Sequence, residues 1–156
     1  MKGIVLSEVG HFVNVLPPID ISGGKTGDVF SMAKYGHATI GIQIGVSAAA
    51  FTKILLNECT AFDGTGATAI AFNYYAEETA AGDTMAARAA ATATGVTPSA
   101  NDNIFYIIEL DAAELSDDSH FVQLSLTNNT NSVLAAAHAW LTGARYAEES
   151  SPTAIA

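Results

Sequence analysis

The chain has 156 residues, 29 of them Ala, and carries Lys+Arg 6 against Asp+Glu 16 for a formal net charge of -10. A domain of that size buries roughly 68% of the surface its unfolded chain exposes, so it needs no disulfide or metal staple to fold. With 49% hydrophobic and 14% charged residues, the composition excludes intrinsic disorder, and the lack of a basic stripe excludes a nucleic-acid partner, whose phosphates are held mainly by clustered Lys and Arg.

Residues 1–10 read as an N-terminal arm. Its Ile4, Val5, Leu6 and Val9 are too apolar for an idle tail, so the arm is expected to lie along a neighbouring subunit. Glu8 and His11 interrupt the apolar run and no small-residue cleavage site follows cleanly, so no secretion signal is expected. From residue 11 onward, short apolar runs alternate with period two between Gly, Pro, Asn and Asp, which is a strand pattern. The first run, 11–16, stops at Pro17 and Pro18, and Gly23, Gly24 and Gly27 then make a loop. A run over 28–33 follows. The clearest strand is 38–47, where Ile40, Ile42, Ile44 and Val46 share one face and Thr39, Gly41, Gln43 and Gly45 the other. Strands at 51–60 and 67–75 flank a turn made by Asp63, Gly64, Thr65 and Gly66.

Residues 84–93 have high helix propensity because Ala dominates them. The Thr-rich continuation, with no cap before Pro98, still favours an extended segment. Strands follow at 103–110, 120–127 and 132–141, with one helical turn within 112–118 and an Asn-rich turn at 128–131. Residues 148–156 read as a solvated C-terminal extension. The prediction is an all-β fold: one antiparallel β-sandwich over 11–147, jelly-roll-like, with eight or nine strands and at most one short helical turn.

Motifs that carry chemistry are scarce. Gly24, Lys25 and Thr26 resemble the end of a phosphate-binding loop, but Ile19 stands where the first Gly is required. His11, His37, His120 and His138 show no metal-ligand spacing, and the acidic residues Glu109, Asp111, Glu114, Asp117 and Asp118 lack the pattern of a calcium loop, so a solvated acidic loop is expected. Cys59 stands alone in a strand-like run, as a buried inert thiol does, and one unpaired cysteine fits folding in a reducing cytoplasm. No metal, cofactor or enzymatic activity is expected. No run approaches the ~18 apolar residues of a membrane-spanning helix, so no membrane partner is expected either.

Most of the aromatic residues lie within strands, where alternation places Phe72, Tyr74 and Tyr106 towards a core. In the last strand both faces are apolar and small: Val133, Ala135, Ala137, Ala139 and Leu141 on one, Leu134, Ala136, His138 and Trp140 on the other. Such a strand is expected to be covered on both sides, by the opposite sheet and by another subunit.

Four stretches carry a family resemblance: YGHATIGIQIG at 35–45, AFDGTGATAIAFNY at 61–74, IFYIIELD at 104–111 and LTGARY at 141–146. Together they resemble small structural proteins of tailed bacteriophages, of the kind that decorate or cement the head. The resemblance spans roughly residues 28–146, and the sequence departs from the pattern in the Ala-rich stretch 84–93. It implies a virion protein made in the host cytoplasm and docked on the capsid exterior. Its expected partners are the major capsid protein and copies of itself, as a homotrimer, with Ile4, Val5, Leu6, Val9, His138 and Trp140 in the contacts. The competing expectation is a carbohydrate- or receptor-binding sandwich of a phage tail or fibre, since aromatic residues on a sandwich also stack on sugars.

Overall fold

Strands with one apolar face are stable only when that face meets another layer, and this chain supplies both layers itself. The structure is a computed structural model that describes residues 3, 5–79 and 84–145. The strands are β1 (Gly10–Asp20), β2 (Lys25–Thr26), β3 (Phe30–Ser31), β4 (Tyr35–Ser47), β5 (Lys53–Cys59), β6 (Thr68–Ile70), β7 (Phe72–Glu77), β8 (Ala89–Ala91), β9 (Ile104–Asp111), β10 (Phe121–Thr127) and β11 (Val133–Ala144). They form a six-stranded sheet ordered β1-β11-β4-β9-β7-β8 and a second sheet ordered β2-β10-β5-β6, in which β3 also pairs with β10. All pairings are antiparallel. The fold is therefore the all-β antiparallel sandwich expected from the alternation.

Between the sheets lies one continuous core. Ile40, Ile42 and Ile44 of β4, Ile104, Tyr106, Ile108 and Leu110 of β9, and Ala135, Ala137 and Ala139 of β11 form its first wall, and Ile54 and Leu56 of β5 with Val122, Leu124 and Leu126 of β10 form the second. The short Ala side chains of β11 bury fully where bulky ones stand on its neighbour, so large and small residues alternate across the layer. Tyr106 brings a hydroxyl into this core. The Tyr106 hydroxyl donates to Glu78 Oε1 and accepts from the Ser99 N–H, and burial together with the Glu78 hydrogen bond pushes its pKa above the ordinary tyrosine value.

Several expectations change in detail. Pro17 and Pro18 do not end the first strand. β1 runs on to Asp20, because it is the edge of its sheet, where a missing N–H costs least, and its register against β11 shifts on either side of Leu16. Val46 does not join Ile40, Ile42 and Ile44 in the core. It is 62% exposed, since an irregularity in the β4–β11 pairing between Ile44 and Ser47 breaks the alternation there. The expected strand 67–75 is two strands, because at Ala71 the chain leaves β6 in one sheet to begin β7 in the other. With the extended segment 84–93 counted as the ninth expected strand, this split and the two-residue β2, which falls in the expected glycine loop, raise the count to eleven strands among the described residues.

Residues 84–93 contain no helix. They run extended into β8, which pairs Ala89, Ala90 and Ala91 with β7. Among the described residues, helical structure elsewhere consists of a four-residue turn, Leu6–Val9, in the arm and a 3-10 turn, Ala112–Glu114, after β9. The 3-10 turn begins where expected, and Glu114 fixes its start by accepting a hydrogen bond from the Asp111 N–H at 2.9 Å. The expected Asp63 turn is the β5–β6 hairpin, with the Thr65 N–H donating to the Asp63 carboxylate at 2.9 Å and Gly64 and Gly66 at positive φ. The C-terminal extension, 148–156, lies outside the described residues.

After β8 the chain crosses to the second sheet at Gly95 and bridges Val96 to Ile54 of β5. Gly95 has φ +76, and a Cβ there would stand 2.3 Å from the Ile54 carbonyl oxygen. Gly95→Ala should therefore lower unfolding stability by about 2 kcal/mol or more, read as a reduced urea midpoint with an unchanged m value. A midpoint equal to the parent's would show that this crossing does not hold the sheets together.

Candidate functional site

Every inward Ile of β4 sends its neighbours to the outer face of the six-stranded sheet, so His37 and Thr39 share that face. The same rule places Glu109 and Asp111 of β9 beside each other, and the β4–β9 register sets His37 opposite Asp111 and Thr39 opposite Glu109. The result is a triad. His37 Nδ1 donates to Asp111 Oδ1 and Nε2 to Glu109 Oε2, each at 2.7 Å, and Thr39 Oγ1 donates to the same Glu109 oxygen at 2.8 Å.

With both ring nitrogens facing carboxylates, the imidazole makes both bonds only as the doubly protonated cation. Partial burial, the largest single influence, draws the His37 pKa down. The hydrogen bonds to Asp111 and Glu109 and the charges of both carboxylates together outweigh it, leaving the pKa above the ordinary histidine value. In the cationic state neither nitrogen offers a lone pair to a metal ion or to a substrate proton. Among the described residues, no group of three His, Cys, Asp or Glu side chains is placed to hold a metal ion.

The triad forms one part of a cleft of about 440 Å³ that crosses β11, β4, β9 and β7. Trp140 and Thr142 line it from β11, Asn73 and Tyr75 from β7, and Arg88 from the segment before β8, with Glu114 beside the triad. Trp140 stacks against Phe12 of the edge strand, ring centroids 6.0 Å apart and planes 11° from parallel. Its Nε1 is buried over Gly10 without a hydrogen-bond partner. One row further along, His138 and Phe105 close over Gly41, where a Cβ would stand 2.9 Å from the His138 ring.

Of the predicted contact residues only Trp140 shares the cleft with the triad. Val5, Leu6 and Val9 are exposed in the arm at 51%, 44% and 53%, and Ile4 lies outside the described residues. His138 is exposed and Trp140 half-buried, both on the outer face of β11, whose other face is fully buried in the core. The histidines do not gather: His11 stacks on Tyr35 at 6.2 Å, while His37, His120 and His138 occupy three different strands or loops. Gly24, Lys25 and Thr26 form no strand-to-helix turn, because Lys25 and Thr26 pair with β10 as β2. Cys59 is buried, and desolvation, reinforced by the charges of Glu58 and Asp63, pushes its thiol pKa up, away from a reactive thiolate.

The triad itself escaped the sequence reading, which took Glu109 and Asp111 for part of a solvated acidic loop. The spacing of two in each strand was the available signal. The pairing of β4 with β9, some 70 residues apart, was not readable. No protein-family model matches the sequence, and no curated protein matches it.

Because His37 has a raised pKa in the folded chain, its contribution to stability is complete below about 6.5, the unfolded value, and is lost as pH rises through the folded value. The side chain is one-third exposed, so the effect is screened to about 1 kcal/mol or less. Urea titrations should show the parent losing stability relative to His37→Gln as pH rises above about 6.5. Parallel curves for the two proteins would show that the triad does not hold the imidazolium.

Proposed function

We propose that the protein is a structural component of a bacteriophage virion, a decoration or cement protein that sits on the outer surface of the head. One observation carries this reading. Every large hydrophobic side chain left exposed among the described residues belongs to the arm or to three adjacent strands of one sheet: Val5, Leu6 and Val9 in the arm, Phe12 and Ile19 on β1, Leu134 on β11 and Val46 on β4. Apolar side chains gathered along one side of a soluble sandwich mark a protein contact. The Ala and Gly residues between them allow close backbone approach over the wide interfaces of permanent assemblies, ~2,000 Å² or more.

The partners we assign are the major capsid protein and further copies of the chain, as a homotrimer. A shell holding packed DNA is under outward pressure, and a protein that bridges neighbouring capsomers resists it. The charge of -10 keeps such a protein from adhering to DNA during assembly. The arm extends this surface, since Val5, Leu6 and Val9 project ahead of the edge strand, and each Å² of apolar area they bury contributes ~25 cal/mol. The cleft over β4 and β9 favours a second reading, a carbohydrate-binding sandwich of a tail or fibre. We rank it below the first because the apolar side of the molecule lies apart from most of the cleft.

Deleting residues 1–9 should leave a folded sandwich by circular dichroism that binds particles at least tenfold more weakly, about 1.4 kcal/mol. Particles lacking the protein should release DNA at a lower temperature than decorated ones. Light scattering at micromolar concentration should give a mass well above 16.1 kDa. Undiminished binding by the truncated chain, with undecorated particles fully heat-stable, would remove the proposal.

A further inference from the structure

We infer that the cleft crossing β11, β4, β9 and β7 binds a neutral saccharide, whichever part of the virion carries the protein. Its volume of about 440 Å³ lies in the range of small-molecule sites. An aromatic side chain stands at each end, Trp140 from β11 and Tyr75 from β7, and such rings offer apolar faces to the C–H surfaces of a sugar. Between them the groups on offer are those that bind vicinal hydroxyls. Glu109 Oε1 and Asp111 Oδ2 are left open by the triad, the Asn73 amide both donates and accepts, and the Arg88 guanidinium makes no hydrogen bond or ion pair among the described residues.

The triad also sets the charge of the site. The His37 cation neutralises one of its two carboxylates in place and fixes both, so the open oxygens are held still before a ligand arrives. An anionic ligand such as a phosphate would meet Glu109, Asp111 and Glu114 with only Arg88 and His37 to offset them. An extended peptide binds by adding to a free sheet edge, yet the cleft lies over β4 and β9, whose backbones are paired on both sides. Recognition here must use side chains, and the ones present suit hydroxyl groups.

Trp140 is the only tryptophan, so its fluorescence reports the site directly. The full chain would be titrated with maltotetraose, cellotetraose, the N-acetylglucosamine tetramer and inorganic phosphate. A saturable change in emission with at least one oligosaccharide and none with phosphate is expected. Asn73→Ala and Arg88→Ala should each weaken that binding by about tenfold, with circular dichroism unchanged, while Lys25→Ala on the second sheet should leave it intact. The inference is overturned by a flat response to all three sugars, by a response to phosphate alone, or by sugar binding that both cleft substitutions leave unmoved.

Discussion

The register of β4 between β11 and β9 is the constraint on which the rest of the molecule depends. Burying Ile40, Ile42 and Ile44 against the second sheet fixes which way every neighbouring side chain points, so the core and the outer face are set by one choice. A slip of one residue would drive His37 and Thr39 into the interior and turn the isoleucines out to water. Each full burial of an Ile side chain is worth about 1.5–3 kcal/mol, and a misplaced ionic group costs more. The triad is therefore positioned by hydrophobic burial on the opposite face of the same strands.

That outer face divides into two surfaces of different chemistry. Along β1, the end of β4 and the outer side of β11 stand the exposed apolar residues Phe12, Ile19, Val46 and Leu134, and Pro17 and Pro18 in the edge strand blunt indiscriminate strand addition. Over β4, β9 and β7 the face is polar and charged, held in place by His37 and its carboxylates. Trp140, stacked on Phe12, stands at the boundary.

Much of the fold was legible because period-two alternation is a local property. The strand cores of β4, β5, β9, β10 and β11, the Asp63 hairpin and the turn at Ala112 follow from neighbouring residues alone. What escaped detection depends on strand order. That β1 is an edge, and so tolerates Pro17 and Pro18, that Ala71 marks a change of sheet, and that Val46 is turned out by an irregular pairing all require knowing which strand lies next to which. The site was hidden for the same reason. His37 and Thr39, like Glu109 and Asp111, each form a visible same-face pair, but only the β4–β9 pairing joins them.

Electron cryomicroscopy of phage particles incubated with the purified protein tests the proposed head-decoration role most directly. If the proposal holds, sandwich density will stand on the outside of the head, with the arm and the β1 edge against the shell and the cleft over β4 and β9 open to solvent. Density for the sandwich in the tail or a fibre, or on the head with the β1 side facing solvent, would contradict it.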